Sequence, residues 1–237
     1  MNQQSLLSFF TVMELIWILG TVLAYGLALG AFKYVGHNMV FHPIVVGAIL
    51  ITGICAVSDT PHLAYQGYVS PINWLLGPVT VALAIPLYRQ IKQIMTTGIR
   101  GIWVIVIGGF MAPLIAFICL NSLEFSDPVR MSVLTKSITT PLAMDTAKMI
   151  GGLPELAAAV VVFTGIIGVM FSQMIFKLTG CKDPRAKGLA LGTVSHAIGT
   201  ARAHQLDAKI GAFSTMALCV NGILTAIILP VAFMLLG

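Results

Sequence analysis

Charged residues are scarce in this chain. They make up 9% of its 237 residues, while 58% are hydrophobic; a soluble domain carries about 25% charged residues. So few charges cannot cover a protein surface in water, which excludes an ordinary soluble domain and predicts a polytopic membrane protein with the lipid bilayer as its solvent. The net charge of +5 is small and scattered along the chain, so we expect no nucleic-acid partner.

The sequence also lacks the usual marks of enzymes and cofactor proteins. The N-terminal stretch MNQQSLLSFF has no basic residue ahead of its apolar run, unlike a cleaved signal peptide. The four cysteines form no CxxC pair, so we expect them to pack as small hydrophobic side chains. Because no nucleophile–base pair, metal-ligand cluster or nucleotide loop is visible, we expect no catalysis, no metal and no cofactor.

Long apolar runs indicate that the chain crosses the bilayer as α-helices. A span needs roughly 20 mostly apolar residues, and only helices or closed barrels can cross lipid. The clear candidate spans are residues 11–32, 43–57, 71–88, 101–121, 155–176 and 210–236, with 126–152 and 185–206 less regular. Uninterrupted apolar runs exclude the alternating pattern of a barrel, so the fold class is an all-α polytopic membrane protein.

Basic residues predict which linkers face the cytoplasm. They concentrate after the first and third spans and near 177–187, whereas acidic residues lie in the linkers around Asp59 and Glu124. With the basic linkers inside, residues 126–152 must enter and leave on one side, as a re-entrant hairpin. The prediction is about seven spans plus this hairpin. One kinked crossing with a misassigned basic linker is the alternative.

Two interrupted polar stretches resemble each other. LGPVTVALAIPLYRQ at 76–90 aligns without gaps with LGTVSHAIGTARAHQ at 191–205, with five identical residues. On the predicted topology they run in opposite directions, which is typical of the inverted repeats and discontinuous helices of secondary transporters. We therefore expect one domain over 1–237, in which 43–121 and 155–236 are inverted units.

Polar residues around these breaks indicate a site for a small organic anion. The start of a half-helix exposes backbone amides and the positive end of the helix dipole, and Arg202 offers a planar fork that fits a carboxylate. The candidate binding residues in the two stretches are Pro78, Thr80, Thr193, Ser195, His196, Gly199, Thr200 and Arg202. Two alternatives stay open: Arg202 can extend to the membrane surface, and His196 can serve packing instead of substrate or proton contact.

The predicted hairpin adds four candidates. Thr139, Thr140 and Pro141 would form its tip, and Lys136 lies just before it. In a re-entrant hairpin the Lys136 ammonium is deep in the bilayer and needs a carboxylate or a substrate as its partner; in a surface arrangement it is an interfacial charge. The threonines either contact substrate or, in a kinked structural helix, bond to their own backbone.

Three stretches carry a family resemblance. LLGPVTVALAIPLY at 75–88, KSITTPLAMDTAKMIGG at 136–152 and KDPRAKGLALGTVSHAIGTARA at 182–203 resemble the signature segments of the LrgB/CidB family of bacterial membrane proteins. Ala197 departs from the glycine expected at its position. The resemblance covers the chain from about residue 20 to its end.

This resemblance implies two functions. Bacterial members are commonly antiholin-like proteins that influence murein hydrolase activity and autolysis, often with a small LrgA/CidA-like membrane subunit. A plant plastid relative resembles a glycolate/glycerate carrier, and some bacterial pairs resemble pyruvate transport systems. We therefore predict a multi-pass protein of the bacterial inner membrane that transports a monocarboxylate such as pyruvate, glycolate or glycerate, with antiholin-like regulation of autolysis as the alternative. The resemblance leaves open an LrgA/CidA-like subunit and a homo-oligomer as protein partners.

Overall fold

The structure, a computed structural model, describes residues 11–236 except 83 and 90. Within these ranges all regular secondary structure is helical, as the apolar runs predict. The chain divides between Pro78 and Val79 into two compact units.

The first unit is built around one long helix. Its elements are α1 (Val12–Tyr34), a short 3-10 helix (Met39–Phe41), α2 (Pro43–Val57), α3 (His62–Tyr68) and α4 (Ser70–Trp74). A capping box between Thr11 and Glu14 starts α1 by satisfying backbone amides that have no partner in the first turn. The Thr21 hydroxyl lies 3.1 Å from the Tyr65 hydroxyl, so α3 packs back on α1, and the axes of α2 and α3 differ by 115°.

The division falls inside α5 (Leu76–Ala82), and the second unit contains the helices that follow it. They are α6 (Ala84–Arg89), α7 (Ile91–Ser122), α8 (Asp127–Leu134), α9 (Thr140–Met149), α10 (Pro154–Leu178), α11 (Pro184–Leu206) and α12 (Ala208–Leu236). Near its start α7 is interrupted at Gly98, whose φ of 72° lies in the left-handed region that glycine enters without steric cost.

Four described helices are long and apolar enough to cross a bilayer. They are Val12–Tyr34, Thr97–Ser122, Pro154–Leu178 and Ala208–Leu235, and the bent pair of α2 and α3 raises the number to five if it is one span. Four of the predicted spans therefore appear as expected. The predicted span 71–88 is divided among α4, α5 and α6, with residue 83 outside the described part. The expected seven spans are thus not found in the ranges that the structure describes.

Residues 127–149 form a hairpin of two short helices, α8 and α9, with residues 135–139 between them. The backbone amide of Leu153, just beyond the hairpin, donates to the Ser132 hydroxyl at 2.7 Å, and Arg130 bonds Asn121 at the end of α7. The chain therefore leaves and returns at one end of the unit, as the predicted hairpin requires. Helices of eight and ten residues span about 12 and 15 Å, about half of a bilayer core.

Helix α11 also folds back on itself, which corrects the prediction that 185–206 is a single crossing. The turn is at His196, with φ 40° and ψ −128°. A β-carbon on Gly199 would lie 3.2 Å from the carbonyl carbon of Leu191, whereas residues eight apart in a straight helix are about 12 Å apart. Residues 184–195 and 197–206 are therefore the first and second arms of a second hairpin.

Contacts with α12 confirm that the two arms run in opposite directions. A β-carbon on Gly188 would approach Phe213, and one on Gly192 would approach Ala217, so the first arm runs parallel to α12. In the second arm, Thr200 bonds Ser214 and His204 bonds Thr215, while Gly211 packs against His204, so this arm returns antiparallel to α12. The second hairpin follows the C-terminal end of α10, opposite the first hairpin.

We expect Gly199→Ala to destabilise the second hairpin. The new β-carbon would overlap the Leu191 carbonyl oxygen, a backbone atom that cannot move aside without opening the arms. A loss of about 1–3 kcal/mol in the free energy of unfolding follows from overpacking of this kind, measurable by denaturant titration in mixed micelles. Gly26→Ala is the control, because nothing lies within 4 Å of that β-carbon position. Equal stability of the two variants would contradict the folded-back geometry.

Candidate functional site

The tips of the two hairpins meet at Asn221, halfway along α12. Its side-chain amide nitrogen donates to the backbone carbonyl of Ser137 at 2.9 Å and to that of Thr193 at 3.2 Å. Ser137 belongs to the segment between α8 and α9, and Thr193 lies just before the turn at His196. One amide group therefore pairs two carbonyls from hairpins that approach from opposite ends of the unit.

His196 forms the tip of the second hairpin and is buried against α10. Its Nε2–H donates to the Val161 carbonyl at 2.8 Å, because a carbonyl oxygen can only accept. This bond leaves Nδ1 as the acceptor in the neutral ring. The positive φ of His196 is costly for a residue with a β-carbon, and strain of this kind often occurs at functional sites.

Two glycines of α10 make room for this tip. A β-carbon on Gly165 would lie 2.7 Å from the His196 ring, and one on Gly168 would overlap the Ser195 hydroxyl. Because only glycine fits at both positions, the backbone of α10 reaches the tip directly. The Ser195 and His196 side chains are thereby buried between the second hairpin and α10.

Three hydroxyls near the meeting point have no hydrogen-bond partner in the described part of the chain. The buried oxygens of Ser137, Thr139 and Thr193 are all unpaired, and two of these residues are the ones whose carbonyls Asn221 holds. A buried polar group without a partner costs roughly 1–3 kcal/mol. Each hydroxyl can donate one hydrogen bond and accept others, so the tips offer neutral binding capacity that the protein itself does not use.

Two helix starts lie at the tips. α9 begins at Thr140 with Pro141 in its first turn, and no side chain caps it, since Thr139 makes no capping bond. The second arm starts directly after His196. Free backbone amides and the positive end of the helix dipole favour an anion at such a start. These features place Thr139, Thr140 and Pro141 at the tip of the first hairpin and Thr193, Ser195 and His196 at or beside the tip of the second; that they bind a substrate stays a prediction.

Lys136 lies in the same tip segment, next to Ser137. It is partly buried. Within the described residues it makes neither a hydrogen bond nor an ion pair, because the acidic groups found in ion pairs there are Asp127 with Arg130 and Asp183 with Arg185. Among the described residues, the Lys136 ammonium therefore has no internal counterion.

Three predicted binding residues, Gly199, Thr200 and Arg202, lie along the second arm beyond its tip. Arg202 is six residues beyond His196, and its Nη1 donates to Gln205 at 3.1 Å near the end of the second arm. Thr200 is bonded to Ser214 at 2.9 Å. Gly199 packs the arms together. For the other repeated stretch, Pro78 ends the first unit and the Thr80 side chain is outside the described part, so their roles stay predictions.

The sequence reasoning missed Asn221 and Ser137. Asn221 is the one amide side chain in the run 210–236, whose other polar residues are hydroxyls, and a polar residue within a span is by itself a sign of a functional or structural contact. Ser137 stands between two residues that were identified, Lys136 and Thr139. A search for isolated polar residues inside spans would have found Asn221. Only the structure shows that Ser137 is its hydrogen-bond partner.

Both hairpins lie within the part of the chain that matches known proteins. The model of the LrgB-like family matches residues 21–235. The chain belongs to the LrgB-like family. Relatives include a protein of Haemophilus influenzae without an assigned function, 34% identical over 91% of this chain and 93% of its own, and the antiholin-like protein LrgB of Bacillus cereus, 29% identical over 93% and 96%. No solved structure matches the chain.

Membership in the LrgB-like family together with the long apolar helices makes this chain a multi-pass membrane protein. The match includes both hairpins, Asn221 and the glycines of α10. The resemblance seen in the sequence is therefore confirmed at the level of the family.

Replacing Asn221 tests how strongly one amide holds the tips. We expect Asn221→Leu, which keeps a similar volume but loses both donors, to lower the free energy of unfolding by about 1–3 kcal/mol, measured by denaturant titration in mixed micelles. Thr225→Val is the matched control on the same helix, because the Thr225 hydroxyl has no partner among the described residues and its loss removes no internal bond. If the two variants unfold alike, Asn221 does not hold the hairpins.

Proposed function

We propose that this LrgB-like protein is a secondary carrier of a small organic anion in the bacterial inner membrane. The observation that supports the proposal best is the meeting of two hairpins from opposite ends at Asn221, halfway along a span. In secondary transporters, broken helices of this kind lie at the bilayer midplane and form the substrate site between inverted elements.

The chemistry of the tips fits a single carboxylate. Free helix starts and the unpaired hydroxyls of Ser137, Thr139 and Thr193 offer hydrogen-bond donors. Lys136 adds one positive charge that no internal acid neutralises. A small monocarboxylate such as pyruvate, glycolate or glycerate matches one charge and several neutral donors, whereas a dicarboxylate would bring a second charge without a partner.

The chain order of the second unit supports alternating access. A hairpin followed by a span occurs twice, as α8–α9 with α10 and as α11 with α12, and the two copies run in opposite directions because α10 separates their entry ends. This pair is shorter than the predicted inverted units 43–121 and 155–236, which stay a prediction. Movement of one hairpin-and-span pair against the other would open the tips to each side in turn.

Charge gives the proposed orientation. The end where α10 stops and the second hairpin starts carries Lys177, Lys182, Arg185 and Lys187, while the opposite end carries Glu124 and Asp127. The positive-inside rule places the basic end in the cytoplasm. The first hairpin would then enter from the outer side and the second from the cytoplasm.

Uptake into proteoliposomes tests the carrier directly. We expect saturable uptake of labelled pyruvate, glycolate, lactate or glycerate, and a loss of at least about tenfold in Lys136→Met, because an unpaired carboxylate in the bilayer costs several kcal/mol. Lys148→Met is the matched control, since Lys148 is exposed on the same hairpin. Undiminished uptake by Lys136→Met would remove this residue from the site, and absence of saturable uptake of all four acids would count against the carrier.

Arg202→Ala is a second arm of the same assay. The bond of Arg202 to Gln205 near the end of the second arm places its guanidinium away from the tips. If Arg202→Ala abolishes uptake while Lys136→Met does not, the carboxylate binds at the end of the arm and not between the tips.

A second candidate function comes from the names of the relatives. The Bacillus cereus protein is named antiholin-like protein LrgB, which favours a regulator of murein hydrolase activity and autolysis that acts with an LrgA/CidA-like subunit. Such a role needs a contact surface for that subunit and no anion site. A regulator of this kind therefore does not need the Lys136 ammonium, whereas the carrier does.

Complementation separates the two functions. If this chain regulates autolysis by assembly alone, Lys136→Met should restore the autolysis rate of a strain that lacks the chain as fully as the wild type does, and should copurify with the LrgA/CidA-like subunit. Autolysis is measured as the fall in optical density after detergent challenge. A requirement for Lys136 in this assay would instead make the lysis phenotype a consequence of anion transport.

A further inference from the structure

A cavity lies beside the hairpin tips, between α7 and α12. Its volume is about 320 Å³, within the size range of small-molecule sites. Its walls are mostly apolar and include Phe110 and Phe117 of α7 and Phe233 of α12, and no charged residue lines it. Asn221 and Thr225, one turn apart on α12, are the polar side chains in its lining.

Both polar side chains present an unused atom. Asn221 donates its amide hydrogens to the two hairpin carbonyls, while its Oδ1 accepts no hydrogen bond within the described chain. Gly109 stands directly against this oxygen and has no side chain to cover it. The Thr225 hydroxyl is likewise unpaired there. Asn221 and Thr225 are 2% and 7% exposed, and both line the cavity.

An acceptor and a hydroxyl one turn apart recognise a particular kind of head group. A neutral carboxylic acid can donate its O–H to Asn221 Oδ1 and accept from the Thr225 hydroxyl with its carbonyl oxygen. An ionised carboxylate would lose the donor and would bring an unpaired charge into an apolar cavity. The aromatic and aliphatic walls suit a hydrocarbon tail.

We propose that this cavity, called the α7–α12 pocket, binds a medium-chain carboxylic acid in its protonated form. The pocket is separate from the proposed anion site at the tips, which takes a charged carboxylate; the amide nitrogen of Asn221 bonds the two tips, and its oxygen lies against Gly109 in the lining of the pocket. A ligand in the pocket contacts the one side chain that holds both hairpins.

Photoaffinity labelling tests the pocket without reference to transport. The probe is a ten-carbon carboxylic acid that carries a diazirine on its tail, added to the purified full chain in micelles, with labelled peptides mapped by mass spectrometry. We expect label on the α7 and α12 segments that line the pocket, and competition by unlabelled decanoic acid. Label spread evenly over the lipid-facing side of α10 as well would mean detergent-phase partitioning only and would overturn the proposal.

Three variants locate the site. Ala232→Trp fills the pocket away from Asn221 and should reduce labelling at least fivefold, whereas Val231→Trp adds the same ring at a position that does not line it and should label like the wild type. Thr225→Val removes one head-group bond and should weaken competition by decanoic acid about fivefold, as expected for about 1 kcal/mol. Equal labelling of the two tryptophan variants would overturn the proposal.

Acidity supplies an independent readout. A free carboxyl group has a pKa near 4 to 5, so the protonated acid is abundant at pH 5 and scarce at pH 8. The ratio of label on the pocket peptides to label on α10 should therefore fall as the pH rises. Decanol, which keeps its O–H at both values, should compete equally at pH 5 and pH 8. Pocket labelling that is stronger at pH 8 would contradict recognition of the neutral form.

Discussion

The backbone of a broken helix cannot be left unpaired in hydrocarbon, and one amide resolves this problem for both breaks. In lipid each free carbonyl costs several kcal/mol because no water replaces its partner. Asn221 donates to a carbonyl of each hairpin, so the two tips share a single side chain of α12. This bridge brings the hydroxyls of Ser137 and Thr193, which have no partner among the described residues, to the same place.

Glycine makes the close packing possible. Helices in lipid gain little from hydrophobic burial against one another and associate through close van der Waals contact and interhelical hydrogen bonds. Gly165 and Gly168 bring the α10 backbone against the second tip, and Gly188 and Gly192 do the same for the first arm on α12. The hydroxyl pair of Thr200 and Ser214 then fixes the second arm without a large side chain between the helices.

The sequence was sufficient for four of the predicted spans and for a pair of short helices within 126–152, but not for the shape of the second hairpin. Apolar runs of 20 or more residues have one solution in lipid, and the charged linkers excluded an odd number of crossings for 126–152, so the sequence predicted that this segment returns. The polar residues in 185–206 indicated a helix break, but a sequence does not show whether the chain continues forward or folds back after such a break. The fold-back depends on the φ of His196 and on contacts of Gly199 with a residue eight positions earlier.

The candidate site was predicted in part for the same reason. Thr139, Thr193, Ser195 and His196 stood out because polar residues are rare in this chain, and the structure places them at the two tips. Arg202 stood out equally, but a charge near the end of a short returning arm is close to the surface of the unit, and its place there follows from the fold-back. Asn221 was overlooked because its partners are backbone carbonyls, which a sequence does not display.

The late position of Asn221 in the chain has a consequence for biogenesis. Its partner Ser137 is 84 residues earlier, so the first hairpin leaves the ribosome long before the donor for its carbonyl exists. Until the final helix is inserted, the carbonyls of Ser137 and Thr193 have no amide from α12 to pair with. A nascent chain that stops before this helix therefore lacks the one side chain that bridges the two hairpin tips.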